Sequence, residues 1–263
     1  MSTLYIAGVG LVAPGLPSWD AAAPVLTGAT PWSAADDALP SPVLLPKNER
    51  RRASATIRIA LEAARQAVEA SGLAARDLPG VFGCSSGDGE VVDTVVRTAT
   101  STEPRVSPTL FHNSVHNAPS GYWSIAAGAH VPSVSIGAFD ATVAATLAAA
   151  SVQARRQPVL ACLYDAALPE PIYAFRPVSV FFGAALVLVP ERPAKPLAQI
   201  SVRIGAHALA PSPLQVPGLA PLLEGNPAGR ILPLLEALAR GQAREIVLPW
   251  QDSPPLAITV TPC

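Results

Sequence analysis

The sequence predicts an α/β domain, in which strands and helices alternate around a buried sheet. Three stretches carry that expectation. Residues 4–12 are apolar and β-branched and end at Pro14 and Gly15, as a buried strand ends at a turn. Residues 54–71 place Ile57, Ala60, Leu61, Ala64, Ala67 and Val68 at helical spacing, and Gly72 follows as a stop. Residues 132–147, PSVSIGAFDATVAATL, open as an alternating run and become an alanine-rich helix with no Gly or Pro before Pro158. A buried strand that breaks sharply into a helix is the geometry of a nucleophile elbow.

Length and composition bound the rest. The 263 residues suit one large domain or two small ones, and with half of them hydrophobic and 14% charged a sizeable core is expected. The net charge of −1 offers no electrostatic footprint for nucleic acid or an anionic membrane. Cys84, Cys162 and Cys263 are widely spaced and odd in number, which fits a reducing cytosol and a cytoplasmic location better than a disulfide scaffold. The four histidines do not cluster with carboxylates at ligand spacing, so no metal or other cofactor is implied. The N-terminus reads as a strand rather than a signal peptide, and no run of 18 apolar residues suggests a membrane span.

In chain order, Gly8 and Gly10 sit in the first strand, but Pro14 interrupts the helix that a dinucleotide-binding turn would need. Ser18 is placed to cap a helix over 19–26, and the Pro-, Ser- and Asp-bearing stretch 31–46 reads as a surface loop. The basic run 47–52 has two readings, a solvated approach to the next helix or a docking patch for an acidic partner. Residues 81–88 read as a strand entering a Gly/Ser turn, with Cys84 as core packing, and 90–101 as a helix. Within residues 106–129, Asn113 and Asn117 are expected to bond local backbone. His112 and His116 stand four apart, one turn if a helix already runs there, with no third ligand or nucleophile beside them.

At the elbow the residue at the break is Asp140, whose ordinary role at a helix N-terminus is an N-cap. Beyond it, 159–164 reads as a buried strand of the parallel type. A five-stranded mixed sheet, largely parallel, is therefore expected from 4–12, 81–84, 134–138, 159–164 and 180–189, with helix 140–154 buried. The remainder reads as a strand (198–209), a Pro-rich connection (211–227), a helix (229–240) and two short strands (245–248 and 256–260).

Several of these stretches resemble the β-ketoacyl-acyl carrier protein synthases. Pro132-Ser133-Val134-Ser135-Ile136 is similar to the start of the family's active-site segment, GVGLVAPG to its first strand, and Phe175-Arg176-Pro177 with GAALVLV to a later one. In VSPTLFHNSVHNAPSGYWSIAAGA, residues Ser107, Pro108, Asn113, Asn117, Gly121 and Ile125 fall on family positions. The resemblance, covering roughly residues 4–189, implies a thiolase-like fold with one complete N-terminal βαβαβαββ half and a reduced C-terminal part. The domain division that follows is 1–190 for that half and 191–263 for a short extension packed on it.

The resemblance also implies what is missing. It places Asp140 where the family carries its nucleophilic cysteine, with Phe139 or Ala141 there if the register slips by one. None is a thiol, so no acyl thioester can form. The family's two catalytic histidines lie in its second half, and here only His207 lies beyond the elbow, outside either motif. FFG stands for the family's GEG, which leaves Phe181 and Phe182 as pocket or interface residues rather than an oxyanion loop.

The Cys-less, shortened form is identified as a β-ketoacyl synthase-like N-terminal domain of the kind encoded with aryl polyene and xanthomonadin-type pigment genes. The resemblance implies a non-catalytic, chain-length-factor-type subunit that forms a heterodimer with an active ketosynthase, with acyl carrier protein as a further partner. Phe111, His112, Asn113, Val115, His116, Phe139, Asp140, Phe181 and Phe182 are then candidates for pocket or interface, and none is catalytic. The alternatives are an acyl-thioester hydrolase using Asp140 with His112 or His116, and a homodimeric acyl-binding protein.

Overall fold

The computed structural model describes residues 3–34, 38–205, 209–250 and 254–263. Strand β1 (Thr3–Val12) lies inside the sheet and explains the paired glycines of its sequence. Its register against the neighbouring strand shifts between Ile6 and Gly8, a bulge that reverses the alternation. Leu4, Ile6, Val9 and Leu11 consequently enter one core, while Gly8 and Gly10 turn to the opposite face. There helix α3 packs directly on backbone: an added Cβ would lie 2.1 Å from the Ala67 carbonyl oxygen at Gly8 and 2.0 Å from that of Ala63 at Gly10.

After β1 come α1 (Trp19–Leu26), the short α2 (Lys47–Arg50), α3 (Ala55–Ser71) and β2 (Gly80–Gly83). Then follow α4 (Gly89–Ala99), α5 (Pro108–Asn113), α6 (Ala118–Ala127), β3 (Ser133–Ile136) and α7 (Thr142–Gln153). The second part runs β4 (Val159–Asp165), α8 (Ile172–Phe175), β5 (Phe182–Val189), β6 (Ala198–Ile204), α9 (Ala220–Gly225), α10 (Leu232–Ala239), β7 (Arg244–Leu248) and β8 (Leu256–Pro262). Local signals set these ends: the Ser18 hydroxyl accepts from the Ala21 amide, Asp88 accepts from the Val91 amide, and Gly72 closes α3 in the left-handed region.

The eight strands of the described residues form one sheet, in the order β3-β2-β4-β5-β1-β6-β8-β7. The expected sheet of five is thus corrected to eight, because β6, β8 and β7 continue it beyond β1. The largely parallel expectation is corrected as well: only β3-β2-β4 is parallel, and every other pairing is antiparallel. The uninterrupted apolar runs of β4 and β5 looked parallel because both faces of each strand are buried, and burial leaves that signature in either orientation. Of the expected strand 198–209, residues 206–208, including His207, lie outside the described residues.

Helices α3 and α6 cover one face of the sheet, and α1, α7 and α10 cover the other. Helix α7 is largely buried, as its alanine-rich composition requires, with Val143, Ala144, Leu147 and Ala150 in the core and Val152 exposed. Buried Glu236 on α10 accepts the amides of Gln215 and Val216 at 2.8 and 2.9 Å, which ties the Pro-rich connection down.

The two edges of the sheet differ. The outer side of β7 is covered, since Ser212 donates its amide to the Val247 carbonyl and its hydroxyl accepts the Val247 amide. Strand β7 also starts with charged Arg244 and Glu245. Strand β3, reading Ser-Val-Ser-Ile, carries no charge, and no strand pairs with its outer side among the described residues.

Gly10→Ala is expected to destabilise the chain by about 1–3 kcal/mol, the usual cost of overpacking a well-filled core. Urea unfolding checks this, and an unchanged midpoint would refute the direct packing of α3 on β1.

Candidate functional site

The parallel half of the sheet brings the C-terminal ends of β3, β2 and β4 together, and the site forms there. Strand β3 ends at Ile136, and the chain turns through residues 139–141 into α7. The strained position of this turn is Phe139, with φ of +50°, a left-handed backbone that an aromatic residue rarely adopts. The strained residue of the elbow is thus Phe139, and Asp140 follows one residue later. The Thr142 hydroxyl fixes the turn from within, accepting the Ala138 amide at 3.0 Å and donating to the Phe139 carbonyl at 2.7 Å.

Asp140 is not an N-cap, which corrects the sequence expectation: the residue preceding α7 is Ala141, with no side-chain cap bond. The Asp140 carboxylate is instead held by two arginines. Arg176 Nη1 reaches Oδ1 at 2.6 Å, and Arg230 Nη2 reaches Oδ2 at 2.9 Å while its Nη1 bonds the Asp140 main-chain carbonyl. Partial burial alone would raise the pKa of Asp140, but hydrogen bonds and charge from Arg176 and Arg230 outweigh it and hold the group below the ordinary carboxylate range. The Arg176 guanidinium also lies over the Phe139 ring, 3.6 Å from its centroid. A cavity of about 240 Å³ beside this cluster is lined by Asp140, Arg176, Val178, Leu223, Pro227 and Arg230, with Glu224 at its wall. That is below the usual size of a small-molecule site.

Behind the elbow lies a buried polar knot. Asp165, at the end of β4, accepts at Oδ1 from Cys84 Sγ at 3.2 Å, the Ser85 amide at 2.9 Å, the Ser85 hydroxyl at 3.0 Å and the Ser86 amide at 3.3 Å. Its Oδ2 has no partner. Burial pushes Asp165 up to about 6, against the lowering effect of these hydrogen bonds. Burial and the adjacent carboxylate push the Cys84 thiol well up, so it is a neutral core group and not a nucleophile. Ser86 Oγ accepts weakly from Arg176 Nε at 3.5 Å and so links the knot to the elbow cluster.

The other predicted residues divide. Phe111 is 65% exposed and Val115 is exposed, both on the segment leading from α5 towards α6. Helix α5 ends at Asn113, so His112 and His116 do not share a helical face as the spacing allowed. His112 stacks edge-on against Tyr122 with centroids 6.0 Å apart, and His116 Nε2 meets the Cys84 carbonyl at 3.0 Å. Its ring also abuts Gly137, which pins this segment to the elbow. The Asn113 amide donates to the carbonyl of Arg52, 61 residues away, rather than to local backbone. Phe181 and Phe182 are buried in the two cores on either side of the sheet, which removes Phe182 from any pocket or interface. Sequence reasoning missed Arg230 altogether, because nothing in its spacing connects it with residue 140. Arg176 stood inside a quoted motif without a role.

Among the described residues, no three His, Cys, Asp or Glu side chains group as metal ligands, and no helix is long and apolar enough to cross a membrane.

Residues 27–213 match the model of the family described as beta-ketoacyl synthase, N-terminal domain. No curated protein matches the chain. Among solved structures, the chain is similar to one in the ketosynthase (ApeO) in complex with its chain length factor (ApeC) from Xenorhabdus doucetiae, at 21% identity and a TM-score of 0.67, covering 99% of this chain and 100% of that one. It is similar at 16% identity and a TM-score of 0.70 to a chain of the ishigamide ketosynthase/chain length factor, covering 99% of each. A chain of AntDE:AntF, a type II PKS acyl-carrier protein in complex with its ketosynthase, matches at 12% identity and a TM-score of 0.76, covering 100% of this chain and 99% of that one. These likenesses establish the thiolase-like ketosynthase fold.

The buried Asp165 makes a pH prediction. Its folded pKa lies above the usual carboxylate value, so between about pH 4 and pH 6 the folded state binds more protons than the unfolded one. Stability therefore falls as pH rises through that window and is level above it. Asp165→Asn is expected to remove this slope, a differential on the order of 3 kcal/mol between the two profiles. Urea unfolding of both chains from pH 4 to pH 7 checks it, and parallel profiles would sink it.

Proposed function

Because this chain belongs to the β-ketoacyl synthase N-terminal domain family, we propose that it is a non-catalytic subunit of the chain-length-factor type, paired with an active ketosynthase. The observation that carries the reading is the elbow at the end of an open edge. The strained position holds Phe139, Asp140 is bound by two arginines, and both follow an uncharged edge strand. An open edge of that kind calls for a strand partner. Val134 on β3 is 43% exposed, and Ile125 on the adjacent α6 is exposed as well, so the flanks of the edge are apolar. Helix α6 is joined to β3 by the Ser120 and Ser135 hydroxyls at 3.2 Å.

On this reading Phe111 and His112, on the segment pinned to the elbow by His116, reach the partner's acyl pocket and limit chain length. The chain-length-factor complexes among the structural neighbours support the partner class, and the AntDE:AntF complex supports a carrier protein in the same assembly. Carrier docking falls to the exposed run at Lys47 and Arg51, beside the cleft formed by Glu49, Arg52 and His112. The pathway is aryl polyene or xanthomonadin-type pigment synthesis in the cytoplasm, with residues 1–190 as the pairing half and 191–263 as its support. The hydrolase alternative is weaker, because both oxygens of Asp140 are occupied and its proton affinity is lowered, the opposite of what a general base needs at neutral pH.

Co-purification with a co-expressed ketosynthase tests the reading. Val134→Lys puts a charge on the free edge and is expected to weaken the complex at least tenfold with the isolated chain's melting temperature near wild type. A complex of unchanged affinity would remove the edge from the interface. The chain alone is expected to show neither covalent acylation nor turnover with acyl-carrier substrates, measured by intact mass. In the complex, Phe111→Ala is expected to lengthen the products, and unchanged product length in an intact complex would sink the pocket role.

A further inference from the structure

We infer that Arg230, supplied by the C-terminal segment, is the positioning residue that locks the elbow and holds the Phe139 ring in place on the pairing face. The inference rests on the pairing proposed above and adds to it what makes that face rigid. Phe139 combines two features that do not sustain each other. Its backbone is left-handed, and its side chain is 52% exposed, so burial alone does not hold it.

Besides the Thr142 hydroxyl within the turn, the holding groups are two arginine side chains that meet at the next residue. Arg230 bonds the carboxylate and the main-chain carbonyl of Asp140 at once, which fixes the orientation of that residue and not merely its charge. Arg176 takes the other carboxylate oxygen and lays its guanidinium plane over the Phe139 ring. Arg176 also makes a weak contact to the Ser86 hydroxyl. Ring, guanidinium, carboxylate and second guanidinium thus form one chain of contacts, with Arg230 at the end opposite Phe139. Arg230 lies in the turn 227–231, beyond the family-matched residues 27–213, and Asn226 anchors that turn by donating to the carbonyls of Asp165 and Val180. The segment after residue 190 therefore braces an elbow formed by the segment before it. A ring held in one place before the partner arrives loses little freedom on binding, so loss of the brace weakens pairing even though Arg230 need not touch the partner.

The test has two arms. In the chain alone, hydrogen exchange is measured by mass spectrometry for the peptide spanning 138–142 in wild type, Arg230→Ala and Arg230→Lys. Exchange at the elbow is expected to quicken at least tenfold in Arg230→Ala and less in Arg230→Lys, with core peptides and melting temperature near wild type. Unchanged elbow exchange overturns the clamp, whatever the partner does. In the second arm, the dissociation constant for the ketosynthase is measured for the same chains and for Phe139→Ala. Arg230→Ala and Phe139→Ala are expected to weaken pairing about tenfold each, with Arg230→Lys between Arg230→Ala and wild type. An Arg230→Ala chain with a loosened elbow and wild-type affinity overturns the link to pairing. A wild-type chain that binds no ketosynthase while Arg230→Ala loosens its elbow overturns the pairing reading and leaves the clamp standing.

Discussion

A β-sheet can end only where the outer backbone groups of its last strand meet water, a covering segment or another strand. That constraint is met differently at the two ends of this sheet. At β7 the Pro-rich connection supplies Ser212 as cover, and buried Glu236 holds the connection by two of its amides. At β3 the outer side is left open, and the strand is short, uncharged and flanked by exposed apolar side chains. The open edge is also the end of the sheet where the strands run parallel, so the C-terminal ends of β3, β2 and β4 converge beside it. The elbow, the Ser85-Ser86 turn and Asp165 therefore lie together next to the one edge that has no cover within the chain's described residues.

Asp140 and Asp165 belong to one hydrogen-bonded chain, through Ser85, Ser86 and Arg176, yet their proton affinities move in opposite directions. Two guanidiniums keep Asp140 ionised, which lowers its strength as a base. Burial pushes Asp165 the other way, but the same burial closes it to a substrate. Cys84 donates to Asp165 and is held as a neutral thiol, so the sulfur nearest the elbow is chemically quiet.

Much of the fold was legible because its signals are local. The Gly72 stop, the Ser18 cap and the apolar stripe of α3 each act within a few residues of themselves, and each appears where the sequence places it. Strand direction was not legible, since β4 and β5 are buried on both faces and burial carries no orientation. The bulge in β1 was hidden for a related reason: a strand carrying two glycines gives no sign of where its alternation breaks until the closeness of α3 is known. At the site, the elbow itself was legible from the strand-to-helix break. Its electrostatic partners were not, because Asp140 and Arg230 are joined by a contact spanning 90 residues with no periodicity to mark it. Asp140 was read as a cap because a carboxylate at a helix start is usually one, and that prior gave way to two nearby guanidiniums.

A strained backbone is ordinarily explained by the chemistry it serves, as when a sharp turn lifts a nucleophile out of a sheet. Here the strain persists without a nucleophile. A left-handed Phe139 costs on the order of 1–3 kcal/mol relative to a relaxed turn, and nothing in its half-exposed side chain returns that by burial. The offset comes from outside residue 139: the Thr142 hydroxyl bonded on both sides of the turn, and the Arg176 and Arg230 contacts that converge on Asp140. Charge-assisted bonds of this kind are among the stronger ones available to a partly exposed group. An elbow so restrained behaves as a rigid shape, and rigidity at the end of an open edge is of use to docking in a way that it is not to an isolated monomer. The turn geometry that in a nucleophile elbow lifts a reactive side chain out of the sheet here presents an aromatic ring.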